Sequence, residues 1–173
     1  MTVLATDRLE ARELTLDDAP FVHALVNDPD WIRFIGPRDA ATVDAARAYL
    51  ERAYLPLYAK RGLGLWAVSR RGETELIGVC SLLKRETLPD PDLGFAFLPQ
   101  GRGQGYAREV AAACLAYAHG ALGHPRVVAI CSPGNTASCR VLEDVGMRFE
   151  KLVRLSEAGE ELCLYASGEA AGA

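Results

Sequence analysis

A glycine-rich segment, residues 99–108, is the part of the chain whose residue types best suit chemistry. Glycine occupies three of five consecutive positions in it, at Gly101, Gly103 and Gly105. Glycine lets the backbone turn sharply and leaves its N–H groups accessible. A helix that begins at Tyr106 would add unpaired N–H donors and its positive end. The segment therefore predicts a cradle suited to a pyrophosphate, although a glycine-rich turn without a ligand remains the alternative for this loop alone.

The known phosphate-binding signatures are absent or misplaced. The chain has no G-x-x-x-x-G-K-S/T loop and no G-x-S-x-G nucleophile turn. The dinucleotide fingerprint needs a third small residue three positions after a Gly-x-Gly pair. Tyr106 holds that position after Gly101 and Gly103, and Arg108 holds it after Gly103 and Gly105. Residues 62–67 match that fingerprint, but they lead into a predicted strand instead of opening a helix. A dinucleotide-binding oxidoreductase is therefore disfavoured.

Residues 135–147 form a second motif with a candidate ligand-binding end. Asn135 is typical of a residue that caps a helix, and Gly146 is typical of a residue that ends one. Ser138 would lie in the first turn of that helix. The simpler alternatives are that Asn135 only caps the helix and that Ser138 is an ordinary first-turn residue.

The spacing of apolar residues predicts the elements that must position these segments. Their order indicates one mixed α/β domain of residues 1–173, with helices on both faces of a sheet. Residues 31–36 are predicted to be irregular, and residues 168–173 are predicted to be a frayed tail. The predicted strands are residues 8–12, 65–69, 76–83, 93–98, 127–131 and 162–166, and the predicted helices are residues 15–26, 42–55, 106–119 and 135–146.

The amino-acid composition limits the classes of protein to which the chain can belong. The 173 residues are 50% hydrophobic and 24% charged, which suits one globular domain. The net charge is −4, from 19 basic and 23 acidic residues, so nucleic acid is not an expected partner. Five cysteines and three histidines form no C-x-x-C or H-E-x-x-H motif, so no metal is expected. No apolar run suits a signal peptide or a membrane span, and we expect a cytoplasmic protein that does not bind membranes.

The two motifs together resemble the GNAT N-acetyltransferases. Residues 102–107 (Arg-Gly-Gln-Gly-Tyr-Ala) are similar to the acyl-CoA motif Q/R-x-x-G-x-G/A of that family, and a second register from Gln100 also fits. Residues 135–147 resemble the family's N-x-x-S helix. The opening, residues 6–12, is similar to the ribosomal-protein N-acetyltransferase branch, of RimJ/RimL type. The resemblance covers residues 6 to about 167.

This resemblance implies a fold and a co-substrate. The GNAT fold is an α/β (α+β) fold whose central sheet is mixed, mostly antiparallel and twisted, with helices on both faces. Two of its strands splay apart and admit the pantetheine arm of acetyl-CoA. The alternative for Phe95 and Phe97 is that they are ordinary aromatic residues of the core and do not line the arm. The residues that the resemblance assigns to acetyl-CoA are Phe95, Ala96, Phe97, Arg102, Gly103, Gln104, Gly105, Tyr106, Ala107, Arg108, Asn135 and Ser138.

The catalytic groups are less well defined by the resemblance. Many GNAT enzymes carry a tyrosine acid on the last helix, and the matching residue here is Leu142. Ser138 or a water molecule is then the candidate proton donor near the sulfur. Asp92, at the start of a predicted strand, is the first candidate for a base, and Glu86 is the second. For either carboxylate, an ordinary surface acid is the alternative.

The expected reaction is transfer of an acetyl group from acetyl-CoA to the amine of a protein N-terminus, an amino acid or a small amine. A non-catalytic acyl-CoA sensor is the alternative, and we expect a monomer or a homodimer. We also expect an acidic rim that attracts cationic amines, and a preference for α-amines, which lose their proton more easily than lysine does. The acids expected to form this rim are Asp28, Asp30, Glu86, Asp90 and Asp92.

Overall fold

The computed structural model describes residues 1–60 and 62–168. Of the predicted frayed tail, residues 168–173, Gly168 ends a strand and residues 169–173 lie outside the described residues. The described residues form eight strands and five α-helices. The strands are β1 (Thr2–Ala5), β2 (Leu9–Glu13), β3 (Gly64–Arg70), β4 (Leu76–Leu83), β5 (Asp92–Phe97), β6 (Arg126–Cys131), β7 (Arg148–Val153) and β8 (Leu162–Gly168). The helices are α1 (Ala19–Val26), α2 (Pro29–Phe34), α3 (Val43–Ala53), α4 (Tyr106–Gly120) and α5 (Thr136–Asp144).

The strands form one mixed sheet in the order β1-β2-β3-β4-β5-β6-β8-β7. Every neighbouring pair is antiparallel except β5 and β6, which are parallel. That parallel pair is in register only where Asp92 lies opposite Val128, whereas β5 pairs with β4 along its whole length. The two strands therefore separate beyond Asp92, and this confirms the predicted splayed pair in a mostly antiparallel sheet.

Helices cover both faces of the sheet, as predicted. Alternate residues of β3 point to opposite faces, so that Trp66 packs in the cluster that contains α4, while Leu65 packs with α1 and α3. The Trp66 ring also meets the Tyr117 ring of α4 edge to face, with 6.1 Å between centroids. The central strand β4 is buried at six consecutive positions, as its apolar pattern indicates for a strand covered on both faces.

Three elements differ from the sequence-based prediction. Residues 31–36 were expected to be irregular, but Pro29–Phe34 forms α2. The Asp28 side chain accepts a hydrogen bond from the backbone N–H of Asp30 and caps α2, and Pro29 supplies a preset φ at its first position. Strands β1 and β7 were not predicted. Both are edge strands of the sheet, and in β7 Phe149 and Leu152 are exposed, so no buried face marks it in the sequence.

Candidate active site

The glycine-rich loop forms a row of unpaired backbone donors. Gly103 and Gly105 have φ of +72° and +77°, in the left-handed region that favours glycine. Gly105 is the N-cap of α4, and the first helical hydrogen bond runs from Glu109 to its carbonyl oxygen. Across the described chain, no protein acceptor lies against the N–H groups of residues 103–108. Six consecutive free donors at a helix N-terminus are suited to an anion such as a pyrophosphate.

The Arg102 side chain holds the loop in place instead of pointing into open space. Its Nε donates to the carbonyl oxygen of Phe97 at 2.8 Å, and its two Nη atoms pair with Asp28 at 2.5 Å and Asp30 at 3.0 Å. The Arg102 N–H is also used, because it donates to Pro99. Arg102 therefore ties the loop to the start of α2, while the exposed Arg108 keeps a charged side chain at the groove.

A second arginine supports the loop from its other side. Arg8 donates to the Gln104 carbonyl oxygen at 3.0 Å and pairs with Glu109 on α4. Its guanidinium also lies 4.8 Å from the centre of the Tyr106 ring. The turn is thus fixed at both ends by residues that are distant in sequence.

A groove of about 720 Å³ runs from this loop between the end of β5 and the start of α5. Phe95, Ala96 and Phe97 line it. The rings of Phe95 and Phe97 also pack in the core beside α4, so both residues are core aromatics whose strand borders the groove. Because β6 leaves β5 beyond Asp92, the backbone edge of β5 at Phe95 is open for pairing with an extended ligand, whereas the Phe97 carbonyl oxygen already accepts from Arg102.

The first turn of α5 closes the far end of the groove. The Asn135 Oδ1 accepts a hydrogen bond from the Ser138 N–H at 3.2 Å, so Asn135 does cap α5. In the described chain, neither the Asn135 amide nitrogen nor the Ser138 hydroxyl has a protein partner. Both residues line the groove with polar atoms still available.

A second cavity, of about 570 Å³, meets the groove at this end. Its walls come from α2, the loop that follows it, β4, β5 and the end of β6. We call it the acceptor cavity. Phe95, Ala96, Asn135 and Ser138 line both the groove and the acceptor cavity. A ligand in the groove and a ligand in the acceptor cavity would therefore meet beside Ser138.

Asp92 lies on the wall of the acceptor cavity and is not a surface acid. It is 3% exposed, its Oδ2 pairs with Nε of Arg85 at 2.5 Å, and its Oδ1 is buried without a partner among the described residues. Burial raises the pKa of Asp92, and the Arg85 guanidinium and, to a smaller extent, the nearby backbone N–H of Ile130 oppose that rise. The second candidate base, Glu86, is exposed and lines neither cavity.

The prediction of a free acidic rim is wrong, because arginine side chains form ion pairs with nearly all of the acids assigned to it. Asp28 and Asp30 bind Arg102, Asp92 binds Arg85, and Asp90 binds Arg126 at 3.0 Å. The positions of these acids were known from the sequence, but their arginine partners come from other segments of the chain. The attraction of cationic amines by a free acidic rim is therefore not supported.

Three further cavity residues bear on the chemistry. Leu142 lines the acceptor cavity and is 2% exposed, so the position of the expected tyrosine carries no titratable group. Sequence analysis missed Ser81 and Tyr54, which also line this cavity. A Cβ on Gly94 would lie 2.7 Å from the Ser81 hydroxyl, so glycine there leaves room for it. No motif marks either residue, because both are recognisable only once the strands and α3 are assembled.

Two further findings concern the described residues alone. None of them form a cluster of three or more His, Cys, Asp or Glu that could hold a metal ion. Among the helices of that part of the chain, none has both the length and the apolar character needed to cross a membrane.

Relatives with similar sequences span nearly the whole chain. The protein YkkB of Bacillus subtilis (strain 168) is 31% identical over 163 residues, which are 88% of this chain and 89% of YkkB. YoaA of the same organism, named as an N-acetyltransferase, is 28% identical over 153 residues, which cover 88% of this chain and 86% of YoaA.

Solved structures share the fold. An acetyltransferase of the GNAT family from Bacillus anthracis has a TM-score of 0.77 at 27% identity, and covers 96% of this chain and 98% of its own. The ribosomal L7/L12 α-N-protein acetyltransferase RimL, solved with coenzyme A, has a TM-score of 0.75 at 17% identity, with coverage of 96% and 97%. The model of the acetyltransferase (GNAT) domain matches residues 8–148. The cradle, the splayed strands and this match lead to one conclusion: the chain belongs to the GNAT acetyltransferase family.

Proposed function

We propose that this protein transfers the acetyl group of acetyl-CoA to a primary amine, of a protein N-terminus or a small molecule, by direct attack of the amine on the thioester. One observation carries the proposal. The groove that begins at the free N–H groups of residues 103–108 meets the acceptor cavity beside Asn135 and Ser138. A co-substrate bound along the groove would present its acyl end to an amine in the cavity.

The residues of the groove would bind and orient acetyl-CoA. The N–H groups of Gly103, Gln104, Gly105, Tyr106, Ala107 and Arg108 would hold its pyrophosphate, with Arg102 fixing the loop. The open edge of β5 at Phe95, next to Ala96 and Phe97, would bind its arm. Asn135 and Ser138 would contact it near the thioester, where the Ser138 hydroxyl can relay to the departing thiolate the proton that the attacking nitrogen loses.

The acceptor cavity would supply the base. An amine attacks only after it loses a proton, and a positioned carboxylate can take that proton directly or through one water. Asp92 suits this task because it lines the cavity and has one oxygen without a protein partner. A thioester is already reactive toward amines, so holding the two substrates together supplies much of the remaining acceleration.

A non-catalytic acyl-CoA sensor is the second candidate, and Leu142 is the observation that favours it. A buried leucine replaces the proton donor that many members of the family use. An assay of thiol release from acetyl-CoA over a panel of amines and N-terminal peptides separates the two. Binding of acetyl-CoA without amine-dependent thiol release would favour the sensor.

We expect acetyl-CoA to stabilise the protein against heat, and NADH and ATP to leave its melting temperature unchanged. A ligand at 100 times its dissociation constant adds about 2.7 kcal/mol to the free energy of unfolding. For a chain of this length that corresponds to a rise of roughly 5–10 °C in melting temperature. Differential scanning fluorimetry measures the shift. An equal shift with NADH, or none with acetyl-CoA, would contradict the assignment of the groove.

We expect α-amines to be acetylated before lysine side chains at neutral pH. The reference pKa of an α-amino group is about 8 and that of lysine about 10.4, so at neutral pH the α-amine has the larger unprotonated fraction by about 200-fold. Mass spectrometry of a peptide with a free N-terminus and one internal lysine locates the acetyl group. Acetylation mainly on the lysine would refute the preference.

A further inference from the structure

The acceptor cavity carries more positive than negative charge. Its charged lining residues are Arg33, Arg38, Arg85, Asp92 and Glu160. Arg85 and Asp92 form an ion pair, so their charges compensate each other. Among the described residues that line the cavity, two arginines then face a single exposed glutamate. This balance suits an acceptor that brings a negative charge of its own.

Arg38 is held rigidly at the cavity wall by neutral partners. Its Nε donates to the Tyr49 hydroxyl at 3.1 Å, and its Nη1 donates to the carbonyl oxygens of Gly36 at 3.2 Å and Pro37 at 2.9 Å. Its guanidinium also lies 5.9 Å from the centre of the Trp31 ring. These contacts fix the guanidinium in place before any ligand binds.

The Arg38 charge is uncompensated within the part of the chain that the structure describes. No carboxylate of these residues lies within ion-pair distance, and its Nη2 has no acceptor there. The side chain is half-buried, so water compensates its charge only in part. A planar guanidinium with unused donors is the group that proteins most often use for a carboxylate.

The positive potential extends to the neighbouring tyrosines. Tyr54 lines the cavity, and its hydroxyl lies 2.8 Å from the Tyr49 hydroxyl, to which Arg38 donates. Burial and the contact with Tyr49 raise the pKa of Tyr54, whereas the charges of Arg38 and Arg85 lower it. Both guanidiniums thus act on the same region of the cavity.

We infer that the acceptor is a primary amine that also bears a carboxylate, and that Arg38 binds this carboxylate while the amine faces Asp92. The inference rests on the proposed function and specifies its acceptor. A cavity of about 570 Å³ is large enough for an amino acid or the first residues of a peptide. The carboxylate is then either that of a free amino acid or the side chain of an acidic N-terminal residue.

Two matched pairs of acceptors test the inference. The first pair is phenylalanine and phenylalaninamide, and the second is a peptide amide that begins with Asp and its Asn counterpart. We expect kcat/KM to favour the acid in at least one pair. A preference in the first pair assigns a free amino acid, and one in the second alone assigns an acidic N-terminus. No preference in either pair, measured at a pH above the pKa of both amines, would overturn the inference.

Variants show whether Arg38 is responsible. A hydrogen bond to a charged group contributes about 10- to 100-fold to affinity, so Arg38→Gln should reduce the acid-over-amide ratio of kcat/KM by about that factor. The two acceptors differ in amine pKa, but this difference cancels when the ratio is compared between enzymes. Arg47→Gln is the control, because Arg47 is exposed on α3 and lines neither cavity. An unchanged ratio in Arg38→Gln would contradict the role of Arg38.

A binding measurement separates this inference from the proposed function. Arg38 lines only the acceptor cavity, so Arg38→Gln should bind CoA as the wild type does. In the pair that shows the kinetic preference, the acid should raise the melting temperature of the CoA complex more than its uncharged counterpart does, whether or not acetyl transfer occurs. If Arg38→Gln does not fold, Arg38→Lys keeps the charge without the planar fork and should show a smaller loss of the ratio. Equal stabilisation by acid and amide would refute the inference even if transfer is observed.

Discussion

Replacing Gly105 with valine is expected to abolish CoA binding and to leave a folded protein. Gly105 is the N-cap of α4 with φ of +77°, a conformation that a β-branched residue disfavours strongly. A shift of φ turns the N–H groups of residues 103–108 away from a common centre. Loss of two hydrogen bonds to an anion costs about 3–6 kcal/mol, which lowers affinity by about 100- to 10,000-fold.

The fold should survive because the strain is local. A Cβ on Gly105 would meet only Arg8 Nη2, at 3.6 Å, which is an ordinary contact. A left-handed conformation costs a side-chain-bearing residue about 1–2 kcal/mol, against the 5–15 kcal/mol that is usual for the free energy of unfolding.

A matched control exists in the turn between β3 and β4. Gly72 has φ of +79°, its Cβ would also have free space, and it lines neither cavity. Gly72→Val therefore reproduces the backbone strain without touching the cradle. Circular dichroism and calorimetric titration with CoA, on the same samples, make the comparison. If the affinities of the two variants for CoA are equal, the phosphates do not bind at this loop.

The anion cradle and the α5 cap were predictable because local sequence determines both. A positive φ at Gly103 and Gly105 and a side-chain cap at Asn135 depend on residues within a few positions. The order of the central strands followed for a similar reason, since each apolar run in β3, β4 and β5 is separated from the next by a turn signal. Short-range chemistry thus identified the loop and the cap, whereas the groove between them was implied by the family resemblance.

The acceptor side was not predictable because its properties depend on pairs of distant residues. Arg102 and Asp28 are 74 positions apart in the sequence. Because of their contact, the Arg102 side chain, which was a candidate to bind phosphate, connects the loop to α2 instead. Asp92 was an acid of uncertain role until its burial on a central strand and its pairing with Arg85 were known. Because these acids are paired with other arginines, they form no free acidic rim, and among the described residues none of them compensates the charge of Arg38.

Replacing Asp92 with asparagine is expected to lower kcat by about 100- to 10,000-fold at neutral pH, which is the usual contribution of a general base. Asparagine has nearly the same shape but cannot accept the proton of the acceptor ammonium. The loss should shrink as the pH approaches the pKa of the acceptor, about 8 for an α-amine, since the amine then loses its proton to solvent. Steady-state rates from pH 6 to 9.5 with one α-amine acceptor measure both effects.

The same variant gives a readout on stability. Burial raises the pKa of Asp92, so between about 3.9, the pKa of an exposed Asp, and the raised value the folded protein binds more protons than the unfolded chain. Stability of the wild type therefore falls as the pH rises through this window, and the cost of the ionised carboxylate is complete above it. Asp92→Asn lacks this titration, so its melting temperature relative to the wild type should rise with pH across the window.

Glu86→Gln is the matched control for the loss of a carboxylate, because Glu86 lies in the loop that leads from β4 to Asp92 on β5. Glu86 is exposed and lines neither cavity, so its replacement should leave kcat and the pH profile unchanged. If Asp92 only held β5 in place through Arg85, Asp92→Asn would change the melting temperature, but its kcat would not recover at high pH. A misplaced β5 does not respond to the protonation of the acceptor. Retention of wild-type kcat by Asp92→Asn, or a fall in kcat with Glu86→Gln, would move the base to a different group and leave Asp92 as the buried partner of Arg85.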